Sequence, residues 1–230
     1  MKVSEPASGQ RTGGLFAVLS SARFYDAFQN ALGARALRVE LVRQYVRDPR
    51  VPRPRVLDVG CGTAAILDHL GDCEYVGIDL SARYVDAARR RHGMRGRFAC
   101  ADVSDPASLP SGGPFDVVLL QGILHHLPDA RASALLGTVS GLLLPEGRLI
   151  ALEATFSPDS HPLGRLLVDL DRGRHVRSPE GYRCLAEAHF QHVEVHVRHD
   201  LLRVPYSHAI LECSTPPGHR ASAARVRSGR

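Results

Sequence analysis

The chain has 230 residues, of which 44% are hydrophobic and 23% charged, values ordinary for one soluble globular domain with a full core. No apolar run approaches the roughly 20 residues that cross a bilayer, and the N-terminus lacks an apolar stretch before a small-residue cleavage site, which argues against export. The formal charge of +5 is weak evidence for nucleic acid, because Lys2 is the only lysine and the acid-free stretch Ser214–Arg230 carries Arg220, Arg225, Arg227 and Arg230, leaving the rest nearly neutral.

In chain order, residues 1–14 are polar and glycine-containing and are expected to be disordered. A single domain is expected over 15–213, followed by a basic tail over 214–230. From Leu15 to Val46 apolar residues recur at helical spacing (Phe24, Phe28, Leu32, Leu37, Leu41, Val42), which predicts a helical cap over 15–50 split near Gly33. Prolines 49, 52 and 54 end it. Strand-like runs then follow at Arg55–Val59, Tyr75–Ile78, Arg97–Cys100, Phe115–Leu120 and Arg148–Leu152, with helical patterns at 64–70, 82–92 and 129–143. Such alternation predicts a parallel sheet of right-handed βαβ units. After a long connection over 155–178, a helix near Pro179–Ala188 precedes two β-rich runs, His192–Val197 and Val204–Cys213. The short link between those runs predicts an antiparallel hairpin, since a parallel crossover needs a dozen or more residues. The expected fold is therefore α/β, a Rossmann-like seven-stranded sheet of five parallel strands plus a C-terminal hairpin, flanked by helices. The cysteines at 61, 73, 100, 184 and 213 are odd in number and lack a C-x-x-C spacing, which suits reduced thiols in the cytoplasm and no structural zinc.

Ligands of an open α/β sheet bind beyond the carboxyl ends of its strands. Those ends carry Asp58, Gly60 and Gly62; then Asp79; then Asp102; then Gln121 and His125; and last Glu153. The stretch Val56–Ala64 (VLDVGCGTA) is a strand, a glycine turn and a helix start, in which backbone N–H groups can approach a ligand. Its acid would repel a phosphate and attract an ammonium group, which points to S-adenosylmethionine (SAM), whose amino-acid end is zwitterionic. A dinucleotide reading of Gly60-x-Gly62-x-x-Ala65 sets Asp58 beside a pyrophosphate, unfavourable by several kcal/mol at an effective dielectric of about 20, and leaves Asp102 without a role. Asp79 follows Asp58 at a spacing that suits ribose hydroxyls. Asp102 could accept from an adenine amino group with Val103 packed on the ring. Taken singly, each acid is equally readable as a helix cap or a solvated turn.

With these positions in view, the chain resembles the class I SAM-dependent methyltransferases, in particular the small-molecule group that includes the ubiquinone- and menaquinone-biosynthesis enzymes. The matching stretches are Val56–Ala64, Tyr75–Ser81, Ala101–Val103, Phe115–Asp129 (FDVVLLQGILHHLPD) and Leu142–Ala154 (LLLPEGRLIALEA). Glu146 departs from the family, which often has glycine in a Pro-Gly-Gly turn there. The resemblance implies SAM as cofactor and S-adenosylhomocysteine (SAH) as product. It places Asp58, Gly60, Cys61 and Gly62 at the methionine end, Asp79 and Leu80 at the ribose and its neighbourhood, Asp102 and Val103 at adenine, and Gln121 under the methionine portion. Tyr25 matches a family aromatic that closes over the cofactor, or is a core helix residue.

In-line methyl transfer to oxygen or nitrogen needs alignment and, for many acceptors, removal of a proton. His125 and His126 follow the fourth strand, and an imidazole suits a base at neutral pH. Relatives that resemble this chain use the first histidine with a carboxylate ending the fifth strand, here His125 and Glu153. The other reading is that the pair caps the next helix beside Leu127. No metal is expected, because only Glu153 fits the carboxylate pattern of metal-assisted relatives. The connection 155–178 carries His161, Arg165, Arg172, Arg174, His175 and Arg177, either for a polar or anionic substrate or as a solvated face. Tyr206, in the hairpin, could line the pocket. A small-molecule acceptor is expected, with no nucleic-acid partner and no membrane insertion. An RNA methyltransferase and a SAM-binding protein without turnover are the alternatives.

Overall fold

A computed structural model describes residues 30–103, 105, 108, 114–161, 164 and 174–215. The N-terminal stretch with Tyr25, the residues Arg165 and Arg172, and nearly all of the basic tail lie outside the described residues.

Seven strands form one sheet: β1 (Arg55–Val59), β2 (Glu74–Asp79), β3 (Gly96–Cys100), β4 (Phe115–Gln121), β5 (Leu143–Ala154), β6 (His192–Arg198) and β7 (His208–Ser214), in the order β3-β2-β1-β4-β5-β7-β6. The first five are parallel and β7 is antiparallel to both β5 and β6. Strand order reverses between β1 and β4, so the switch point lies over their carboxyl ends. The α-helices that lie wholly among the described residues are α1 (Ala34–Leu41), α2 (Leu67–Leu70), α3 (Ala82–His92), α4 (Asp129–Leu142) and α5 (Pro179–Glu187), and a π-helical turn, Val42–Val46, continues α1. Among the described residues no helix is long and apolar enough to cross a membrane.

The central strands are apolar on both faces because both are covered. Leu57, Val59, Val76 and Ile78 face α4 and α5 through Leu135, Leu136 and Tyr182. Val56, Tyr75, Val117 and Leu119 face α1 and α3 through Leu37, Leu41 and Val85. Helix boundaries follow local chemistry. Ser81 caps α3 by accepting from the Tyr84 N–H, and Gly93 ends it at φ +56°. Ser178 caps α5 ahead of Pro179, accepting from Gly181 N–H at 3.1 Å.

Three element starts differ from the sequence expectation by three residues or more. The helix read over 64–70 is confined to Leu67–Leu70, because Ala64 sits at φ +54° and cannot continue a right-handed turn. Strand β5 begins at Leu143, directly after α4, and a register shift between Phe115 and Val117 absorbs residues 144–147. Glu146 is exposed there and does not take a left-handed conformation, so its departure from glycine is accommodated. Strand β7 begins at His208 rather than Val204: Pro205 has no N–H to donate, and Leu201 turns into the core at 6% exposure. The link is thus residues 199–207. Its Arg203 N–H donates to Leu32 O at 2.8 Å, docking the hairpin on the start of the helical cap.

Candidate active site

The glycine loop is fastened to the end of β2. Ile78 O accepts from Gly60 N–H at 2.8 Å and Cys61 N–H at 2.9 Å, and Asp79 Oδ2 accepts from Gly62 N–H at 2.9 Å. Gly60 sits at φ +76°, a conformation that favours glycine, and the Ile123 side chain packs into the space a Cβ would take, with Cδ1 2.2 Å from that position. Gly62 faces open space, with nothing within 4 Å of where a Cβ would be. Ala64 holds a left-handed conformation at φ +54° while fully buried, a strain of about 1–2 kcal/mol for a residue with a Cβ. Burial raises the Cys61 thiol far above its ordinary range, so it is a packing group rather than a nucleophile.

Asp58 lies beneath this loop with no exposed surface. Tyr75 Oη donates to its Oδ2 at 2.6 Å, and Gln121 Nε2 lies 3.5 Å from its Oδ1. Burial pushes the carboxyl up from 3.8 to about 6, partly offset by the hydrogen bonds from Tyr75 and Gln121. Tyr75 reaches Asp58 because Gly77 lies opposite Asp58 in the register of β1 and β2: a Cβ on Gly77 would stand 2.9 Å from the Tyr75 ring. The tyrosine is a site residue that sequence reading missed. The signal available was a phenol inside a parallel strand, where a buried O–H needs a partner. Tyr75→Phe removes a bond that stabilises the charged form, so the ionisation of Asp58 should move to higher pH. Following SAH affinity against pH in both proteins checks this, with a higher midpoint expected for the variant.

Asp79 is half-buried, and its Oδ1 accepts from Ser81 N–H at 2.8 Å. Burial raises its pKa, with the Ser81 and Gly62 N–H groups opposing the rise. Two backbone contacts leave a carboxylate with acceptor capacity for a ligand hydroxyl. Next to it Leu80 is 61% exposed, one of few large apolar side chains left uncovered among the described residues. Asp102 is exposed at the end of β3, and Val103 is half-buried against the core.

At the other side of the switch point, Glu153 ends β5 with no exposed surface. Its Oε1 accepts from the N–H groups of Ile123 and Leu124 at 3.0 and 2.9 Å, and its Oε2 from His125 N–H at 3.2 Å. The same Oε2 lies 2.6 Å from His125 Nδ1. His125 is 5% exposed, whereas His126 is exposed with its ring tilted against that of His125. Helix α4 begins after Pro128, which as N-cap has no side-chain bond to give. A carboxylate can only accept, so an ionised Glu153 makes this contact with a proton carried on His125 Nδ1.

The cationic residues of the connection divide. His161 and Arg174 are exposed, and His175 is half-buried. Arg177 is neither a solvated face residue nor open to a substrate: its side chain is 10% exposed and engaged with Asp129 and with backbone carbonyls. Tyr206 is half-buried, with its ring against His208.

Residues 56–147 match the methyltransferase domain family. The chain is 36% identical over 127 residues to trans-aconitate 2-methyltransferase of Methylobacterium radiotolerans, covering 51% of this chain and 45% of that protein. It is 32% identical over 117 residues to a ubiquinone biosynthesis O-methyltransferase of Paramagnetospirillum magneticum, covering 48% and 46%. The chain spans less than half the length of the curated relatives it matches. In fold it is similar to human N-acetylserotonin methyltransferase solved with SAM, at a TM-score of 0.64 and 20% identity, covering 90% of this chain and 61% of that one. The chain thus carries a match to the methyltransferase domain family over residues 56–147, set in a fold shared with a solved methyltransferase over 90% of its length.

Proposed function

We propose that the chain transfers a methyl group from SAM to an oxygen or nitrogen of a small-molecule acceptor, with His125 as general base and Glu153 as the group that orients it. The observation that carries this reading is the His125 Nδ1–Glu153 Oε2 contact of 2.6 Å at the ligand edge of the sheet. The turn that bears it abuts the glycine loop through Ile123 and Gly60.

The residues of this edge fit SAM. Gly62 opens onto free space, Asp79 keeps acceptor capacity for ribose hydroxyls, and Leu80 offers an uncovered apolar surface to a base. Asp58 supplies buried negative charge on the loop's underside, suited to an ammonium group. The cofactor, when bound, supplies an electrophilic methyl on a sulfonium. His125 Nε2 then takes the acceptor's proton, and Glu153 stabilises the imidazolium, a role worth typically 10²–10⁴-fold in rate. Burial of both side chains keeps water away from the proton transfer. The names borne by the two curated relatives, a trans-aconitate and a ubiquinone-biosynthesis methyltransferase, support a small-molecule acceptor.

His125→Ala should lower turnover by about 10²–10⁴-fold while SAH affinity, read by calorimetry, stays within error of the parent. A panel of carboxylic acids, phenols and amines, scored by SAH release, supplies the acceptor for this comparison. Full turnover in the variant with normal SAH binding removes His125 from the role.

A further inference from the structure

We propose that Arg177 is a positioning residue that holds the His125 imidazole in its Nδ1–H tautomer by clamping the turn that carries it. The proposal rests on the reading of His125 as base. Arg177 comes at the end of the connection, where the chain returns to the sheet beside Thr155, and it closes a parallel bridge with that residue.

All five N–H donors of its guanidinium are used. Nε and Nη2 donate to Asp129 Oδ1 at 3.0 and 2.7 Å. Nη1 donates to Leu124 O at 2.8 Å and His175 O at 2.9 Å, and Nη2 to Leu127 O at 2.7 Å. Leu124 and Leu127 bracket the histidine pair. The neighbouring backbone adds to the clamp: His175 N–H donates to His125 O at 3.0 Å. Thr155 Oγ1 donates to Arg177 O at 2.9 Å. Tyr182 Oη donates to Ala154 O at 2.9 Å beneath the guanidinium, which lies 5.7 Å from the ring centroid.

The turn is therefore held between opposite charges. Its N–H groups meet the Glu153 carboxylate, and its carbonyls meet the Arg177 cation, so its peptide dipoles are aligned with both. Holding the turn also holds the ring. The His125 N–H and the His125 Nδ1 share one oxygen, Glu153 Oε2, at 3.2 and 2.6 Å. A turn free to rotate would lose both contacts together. A simple ion pair with Asp129 does not account for this geometry, because three of the guanidinium's five bonds go to carbonyls and Asp129 is 80% exposed.

The test uses full-length protein with ¹⁵N-labelled histidine and long-range ¹H–¹⁵N spectra, the His125 signals being assigned by their loss in His125→Gln. The parent should show His125 as the Nδ1–H tautomer alone. Arg177→Met should shift it to the Nε2–H tautomer that free imidazole favours, with SAH affinity by calorimetry unchanged. Asp129→Ala, which removes the exposed partner only, should give a partial shift in the same direction, and it decides the matter if Arg177→Met does not fold. Retention of the Nδ1–H tautomer in Arg177→Met, or in Asp129→Ala where the former is unfolded, overturns the proposal whatever happens to the melting temperature. Failure of the parent to bind SAH would instead strike the methyltransferase reading and leave the tautomer readout standing.

Discussion

Replacing Asp58 with asparagine should stabilise the ligand-free protein at neutral pH and weaken its hold on SAH. Burial raises the carboxyl from 3.8 to about 6, which at about 1.4 kcal/mol per pKa unit amounts to about 3 kcal/mol of penalty on the ionised form. The sign follows from linkage. A carboxyl whose folded pKa is raised favours folding when protonated, so the benefit is complete below pH 4 and is lost as pH rises through 6. Asparagine resembles the protonated form at every pH and can still accept from Tyr75. The stability gap between variant and parent should be near zero at pH 4, open between 4 and 6, and hold at about 3 kcal/mol above that. Chemical denaturation across pH 4–8 measures it.

Binding should move the other way. An ammonium brought within about 5 Å of the carboxylate returns about 3 kcal/mol at an effective dielectric of about 20, which offsets the cost of ionising it. The parent's SAH affinity should therefore weaken as pH falls through 6. The variant should bind about 100-fold more weakly at pH 7, as that energy implies, and show no pH dependence in this window. A destabilised variant, or one with unchanged SAH affinity, contradicts the role assigned to Asp58.

The second large effect is expected at Glu153. Glu153→Ala strands three N–H groups, two of them buried, and the His125 ring at once. Breaking such a buried charged network costs about 3–5 kcal/mol. For a chain of this length that is a fall in melting temperature of about 10 °C. Glu153→Gln keeps the size, but its amide offers one acceptor and turns a donor toward N–H groups, so it should lose stability by a smaller amount and still lose the orienting contact. His125→Ala should cost less stability than Glu153→Ala, because Glu153 then retains its three backbone partners. Thermal melts of the three variants rank them. Equal melting temperatures for His125→Ala and Glu153→Ala would mean that the carboxylate serves the ring alone.

Much of the fold was legible because its signals are local. Strand β1 is an apolar run closed by prolines before it and glycines after it. Helix α3 covers residues 82–92 in both sequence and structure. The start of β5 was not legible, since Leu142, Leu143 and Leu144 read equally as helix or strand and only the pairing of Leu143 with Phe115 decides. The strand ends lined up the candidate residues because a parallel sheet sets its carboxyl ends on one edge. Contacts across the chain were out of reach. Tyr75 finds Asp58 only because Gly77 lies opposite it in the register. Arg177 was read with the other cations of its segment, because its partners Asp129, Leu124 and Leu127 are 48 to 53 residues away and two of them are backbone carbonyls, which no side-chain pattern marks.

We propose, then, that one edge of the sheet holds SAM between Asp58, Asp79 and Leu80 and presents His125 to the acceptor. A crystal structure of the full chain with SAH tests it most directly. The expected result has the ribose hydroxyls on Asp79, the adenine against Leu80 near Asp102 and Val103, the amino-acid end over the Gly60–Gly62 loop above Asp58, and the sulfur facing the side on which His125 stands. SAH bound elsewhere, or bound here with its sulfur turned away from His125, would contradict it.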